Sequence, residues 1–179
     1  MHADQGFILP HEWFAYLHNS FHGLFYKLFM GTNGAAEGKR KLMAFWGTIK
    51  EDDPRRAALR ADMAKDRTIP GWIHGDGVPC TKNDSMEVCS WGSMLSKWMW
   101  FASGYMNKAC NKVARTGNKD NDTKVVFVKI LTWSFRALAM GKFPMADWQG
   151  KPWPKGSQGD KVKNMDLAGG PCEASELMV

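Results

Sequence analysis

The sequence predicts an α+β fold: N-terminal helices, then a three-stranded antiparallel meander, then a long packed helix. Apolar residues recur at helical spacing over 10–29, and three short strand-like runs follow one another between 69 and 106. A capped apolar segment then ends at Met140 and Gly141.

The first helix is expected over 10–29, with Phe14, Leu17, Phe21, Leu24, Phe25 and Leu28 on one face and Glu12, Asn19, Gly23 and Lys27 opposite. Pro10 suits its first turn. His11, His18 and His22 border the stripe. His18 and His22 are spaced to share a metal, but no Cys or carboxylate completes a shell, so they read as histidines edging a core. A second helix is expected over 36–50, with Leu42, Phe45, Trp46 and Ile49 on one face and Lys39, Arg40 and Lys41 in its first half. Asp53-Pro54 then caps a basic surface segment carrying Arg55, Arg56, Arg60, Lys65 and Arg67. Such a segment is either a solvated face or a phosphate-contacting one.

Strands are expected at 69–73, 86–91 and 97–106, joined in series as an antiparallel meander. The first runs into His74-Gly75-Asp76-Gly77, which places Asp76 late in the strand or in the turn after it. A carboxylate between two glycines has no side-chain neighbours to shield it, so a metal ion or a phosphate could approach closely; Asp-Gly is also a common turn dipeptide. Asn121 or Asp122 caps the long helix, which carries a narrow polar stripe of Lys129, Thr132 and Arg136 and is expected to cross a sheet face, buried on most sides.

Beyond Lys142 the prolines and glycines leave no periodic segment. Trp148 and Trp153 are placed to pin part of it, and the remainder is expected to be mobile. The chain thus divides by pattern into a helical region with a basic surface helix (1–68), a sheet-plus-helix core (69–141) and a mostly irregular tail (142–179).

Composition bounds the function. In 179 residues, 44% apolar and 12% aromatic content supports a real core and excludes a disordered chain. Nine Trp and twelve Met are first of all core residues. A net charge of +6 favours anionic partners, nucleic acid or an acidic membrane surface, over cationic ones. Cys80, Cys89, Cys110 and Cys172 form no Cys-x-x-Cys pair, so a zinc ribbon is not supported, and reduced cysteines point to an intracellular protein. No run is long and apolar enough for a membrane span. Walker, dinucleotide-binding, Gly-x-Ser-x-Gly and His-Glu-x-x-His motifs do not occur.

Three serial strands, an acidic residue late in the first, and a long helix reproduce the opening order of an RNase H-like fold, as in DDE transposases and retroviral integrases. The words His74-Gly-Asp-Gly-Val-Pro-Cys-Thr-Lys-Asn-Asp-Ser85, Trp91 and Asp147-Trp-Gln-Gly-Lys-Pro152 resemble a multi-copy, uncharacterised family of algal genomes that is read as transposon-derived. The resemblance covers most of 9–170 and implies a partial RNase H-like core in which Asp76 is the first metal-binding, catalytic carboxylate of a two-Mg²⁺ site. The second carboxylate should follow on a later strand. Here Glu173 and Glu176 lie in a short tail without strand character, so against that pattern the chain reads as C-terminally truncated.

Two function classes follow. One is a degenerate, catalytically inactive transposase-like fragment with non-specific nucleic-acid binding through Arg55, Arg56, Arg60, Lys65 and Arg67. It would bind no cofactor itself, Mg²⁺ belonging to the intact ancestor, and would be nuclear if the resemblance holds. The other is a non-enzymatic interaction module in which Asp76 is only a turn residue and a protein partner, or a second copy, meets an open sheet edge. A third reading, a metal-dependent nuclease, would pair Asp76 with Asp84 or Glu87 across a hairpin.

Overall fold

A computed structural model describes residues 6–54, 67–107, 110 and 122–168. In order these form α1 (Pro10–Ser20), α2 (His22–Phe25), a π-helical turn (Tyr26–Met30), α3 (Ala35–Thr48), β1 (Gly71–Thr81), β2 (Asp84–Ser93), β3 (Met99–Met106), α4 (Thr123–Met140) and α5 (Gln158–Val162). The class is α+β, with one antiparallel sheet in the order β1-β2-β3.

The helix expected over 10–29 is broken. Phe21 leaves helical geometry at φ −137°, ψ 56°, directly after Asn19, whose Nδ2 donates to Leu167 O at 2.9 Å, and Ser20; neither residue type favours a helix interior. The first strand is longer than expected and runs through His74–Gly77 to Thr81. Lys82 and Asn83 make the hairpin turn instead. Pro79, which donates no backbone bond, is tolerated because β1 is an edge strand.

The chain groups into two compact units. The first comprises 1–20, 74–90 and 101–179 and the second 21–73 and 91–100, each strand giving one end to each. In the first unit α4 packs on α1. Its tie to β3 is the contact of Phe127 with Tyr105, ring centroids 5.0 Å apart. Phe7 also meets Phe127, with ring centroids 5.6 Å apart, and the segment bearing it runs beside β3 through Ile8 N–H to Ala102 O at 2.8 Å. Leu131, Ser134 and Ala137 face inward along α4, whereas Val125, Val128 and Met140 are exposed, so the helix is not buried on most sides.

Beyond the part that Trp148 and Trp153 are expected to pin, the segment 142–168 contributes to a core. Phe143, Val162 and Leu167 form a buried cluster with Ala15 of α1. Backbone bonds tie the two ends of this segment: Phe143 N–H donates to Met165 O, Leu167 N–H to Gly141 O, and Lys142 forms an isolated antiparallel bridge with Asp166. Asp147-Trp-Gln-Gly-Lys-Pro152 is a self-closed turn in which the Asp147 carboxylate accepts from Gln149 N–H at 2.9 Å and Lys151 N–H at 2.8 Å.

In the second unit Met30, Leu42 and Leu95 form the core, with Tyr26, Phe45 and Ile69 against them. Phe29 stacks on Trp100 with centroids 4.4 Å apart, and Trp91 lies 5.2 Å from Trp100. Trp46 Nε1–H donates to Thr68 O at 2.8 Å, fixing the chain that leads into β1.

Candidate nucleic-acid interface

Asp76 lies near the middle of β1, fully in strand conformation and exposed. It is therefore neither at a strand end nor in a turn, which corrects both placements made from sequence. Alternation along the strand puts His74 on the same face. Glu87 is on the other: a Cβ at Gly77 would lie 3.8 Å from Glu87 Oε1, and residues 76 and 77 point to opposite faces. The Glu87 carboxylate is engaged by Asn107 Nδ2 at 3.1 Å, and Asp84 Oδ1 accepts from Ser85 N–H at 2.9 Å. Asp76 and Glu87 thus do not converge, and among the described residues no three His, Cys, Asp or Glu side chains gather as a metal site.

The histidines have separate neighbours. His18 Nδ1 lies 3.1 Å from Asn19 Oδ1, and His22 meets the Tyr26 ring edge-on. His11 is buried, with Nδ1 2.7 Å from Ser134 Oγ. A hydrogen-bonded Ser–His pair is the core of many hydrolytic sites. Here Ser134 is 0% and His11 1% exposed, and Trp133 and Phe143 close on the imidazole. No substrate reaches the hydroxyl, so the pair is a structural tie. Burial also lowers the His11 pKa to about 3, which keeps the ring neutral.

Of the basic cluster read from sequence, Arg67 is exposed in a turn. Arg55, Arg56, Arg60 and Lys65 lie outside the described residues.

A different basic site is assembled within the second unit. A cavity of about 410 Å³ is lined by Lys27, Gly31, Lys41, Met94, Leu95, Ser96, Lys97 and Trp98. Lys27 comes from the π-helical turn, Gly31 from its C-terminal end, Lys41 from α3 and Met94–Trp98 from the β2–β3 turn. That turn is held by its serines: Ser93 Oγ accepts from Leu95 N–H at 3.1 Å and Ser93 O from Ser96 N–H at 3.3 Å. Gly31 ends the π-helical turn in the left-handed region, φ +62°, which swings the chain back toward α3. Among the described residues no acidic side chain lines the cavity, so three ammonium groups share one concavity without a counter-charge from those residues. That arrangement suits an anion.

Sequence reasoning missed this site. Lys27, Lys41 and Lys97 each look like a solvated lysine of its own element, and only the fold brings them together. The nearest sequence signal was Lys97-Trp98, a cation beside an aromatic residue in a short turn.

The chain matches no protein-family model, and comparison with curated proteins and with solved structures found no match.

Proposed function

We propose that this chain is a degenerate, transposase-like protein that binds nucleic acid without cleaving it. The observation that carries the reading is the cavity lined by Lys27, Lys41 and Lys97, with no acidic side chain among its described lining residues. The net charge of +6 and the basic cluster at Arg55, Arg56, Arg60, Lys65 and Arg67 act in the same direction. The order of three serial antiparallel strands followed by a long helix supports the ancestry. The isolation of Asp76 from Glu87 supports inactivity, since phosphodiester cleavage with two Mg²⁺ ions needs several converging carboxylates. Nuclear residence would follow from such a role.

Fluorescence anisotropy with labelled DNA over a salt series tests this. Log affinity should fall linearly with log salt, and Arg55→Ala, Arg56→Ala and Arg60→Ala should weaken binding about equally on unrelated sequences, because phosphate contacts position without reading bases. A flat salt response removes the nucleic-acid reading. Mg²⁺-dependent nicking that vanishes in Asp76→Ala would replace inactivity with catalysis.

The interaction-module reading is favoured by α4, where Val125, Val128 and Met140 are exposed beside Lys129, Thr132 and Arg136. It takes over if the chain shows no affinity for DNA or RNA at low salt. Among the described residues no helix is long and apolar enough to cross a membrane.

A further inference from the structure

We infer that the lysine cavity takes a phosphate of single-stranded nucleic acid while the adjoining base stacks on Trp98. The inference rests on the nucleic-acid reading above and narrows it to one site and one strand state.

The cationic wall is partly pre-set. Lys41 Nζ donates to Leu95 O at 2.8 Å, which holds the ammonium in place and leaves two of its three N–H groups for a ligand. Gly31 makes that position available: a Cβ there would lie 3.0 Å from Lys41 Nζ and 2.9 Å from Leu95 O. Lys27 and Lys97 are exposed, and among the described residues neither has an ion-pair partner. Ser96 Oγ accepts from Trp98 N–H at 3.4 Å, so its hydroxyl proton remains to be donated. Three ammonium groups and a hydroxyl match the acceptor-only oxygens of a phosphate.

Trp98 sets the strand state. It lines the same cavity and is 49% exposed, an unusual position for an indole that no core requires. A half-exposed indole beside cations offers a π face to a base. In a duplex both faces of each internal base are already stacked, so only an unpaired base can use it. The volume, within the range of about 300–1,000 Å³ typical of small-ligand pockets, suits one nucleotide unit rather than a duplex groove.

The test is anisotropy with the full chain, comparing a labelled oligothymidine with a loop-free, blunt-ended duplex of equal nucleotide count over a salt series. Single strand should bind tighter, and Trp98→Ala should weaken it about tenfold while leaving the duplex unchanged. Lys27→Gln with Lys97→Gln should make the single-strand salt slope shallower by about 1.4, about 0.7 per lysine. All three side chains are exposed, so thermal melts should match the parent. Thymidine monophosphate should displace the oligonucleotide at concentrations where inorganic phosphate does not.

Equal binding of both strand states with no effect of Trp98→Ala would overturn this site and leave general nucleic-acid binding standing. Equal competition by inorganic phosphate would overturn the stacked base. Salt-dependent binding that both lysine substitutions leave untouched would move the interface elsewhere, and absence of all binding would remove this inference together with the reading it rests on.

Discussion

His11 and Ser134 share a 2.7 Å hydrogen bond between side chains 123 positions apart, and the Ser134 oxygen also lies 3.3 Å from the His11 backbone nitrogen, which donates to it. Two polar groups of α1 are thus satisfied by one hydroxyl of α4 in a place water does not reach.

Ser134→Ala should therefore cost more than one ordinary hydrogen bond. The surviving imidazole nitrogen and backbone N–H would be buried without a partner, at about 1–3 kcal/mol for each such group. We expect a loss of about 2–4 kcal/mol, read as a lower urea midpoint with an unchanged slope. A change below about 0.5 kcal/mol would show that the pair contributes nothing to stability.

The pH dependence follows from His11 and its neighbour Glu12. Burial lowers the His11 pKa from 6.5 to about 3 and raises that of Glu12 from 4.5 to about 7. Between pH 3 and 6.5 the unfolded chain binds a proton at His11 that the folded chain does not, so stability from this group rises with pH. Between 4.5 and 7 the folded chain binds a proton at Glu12 that the unfolded chain lacks, so stability from that group falls. The two slopes oppose each other between 4.5 and 6.5. Stability should be nearly flat there and fall off below 4.5. Glu12→Gln should uncover the His11 slope as a steady rise from pH 4.5 to 6.5 in chemical denaturation. A variant as flat as the parent over that window would contradict the assignment.

Gly159 tests the packing of the proline-rich segment. The Trp153 ring lies so close over Gly159 that a Cβ there would overlap its fused carbons, while Trp153 Nε1–H donates to Pro144 O at 3.0 Å. Helix propensity alone would favour Ala over Gly by up to about 1 kcal/mol. Overpacking costs about 1–3 kcal/mol and should win, so Gly159→Ala should lower stability by about 1–2 kcal/mol. Adding Trp153→Leu should make the pair less than additive, because the second change removes the clash created by the first. Strict additivity of the two thermal shifts would mean that the indole does not rest on Gly159.

The regular elements were legible where local chemistry and packing agree. Asp122 caps α4 through Lys124 N–H at 2.9 Å, and Gly141 stops it at φ +68°. Both signals stand in the sequence. The extent of β1 was not legible, because Gly75, Gly77 and Pro79 read as a turn in any strand that must pair on both sides, and only the edge position permits them. The break at Phe21 was hidden by an apolar spacing that continues across it. The lysine cavity was illegible because its cations come from three elements, whereas the basic run at 55–67 was conspicuous through being contiguous.

The fate of Asp76 separates the readings most directly. It is exposed in mid-strand, none of its side-chain hydrogen bonds is found among the described residues, and the Glu87 carboxylate lies on the opposite face. A change at such a surface position is ordinarily worth less than about 0.5 kcal/mol, so Asp76→Asn should leave the urea midpoint unchanged. A lone carboxylate also holds Mg²⁺ poorly, because that ion keeps most of its waters unless further carboxylates or phosphates assist. A ligand that binds the folded state raises its stability by RT ln(1 + [L]/Kd), so millimolar Mg²⁺ should not move the melting temperature of the parent or of Asp76→Asn. An upward shift present in the parent and lost in the variant would mean that Asp76 recruits a metal with partners beyond the described residues, and the catalytic ancestry would then describe a working site. Unfolding of Asp76→Asn would instead give the carboxylate a structural duty in β1, and the ancestry would lose its anchor.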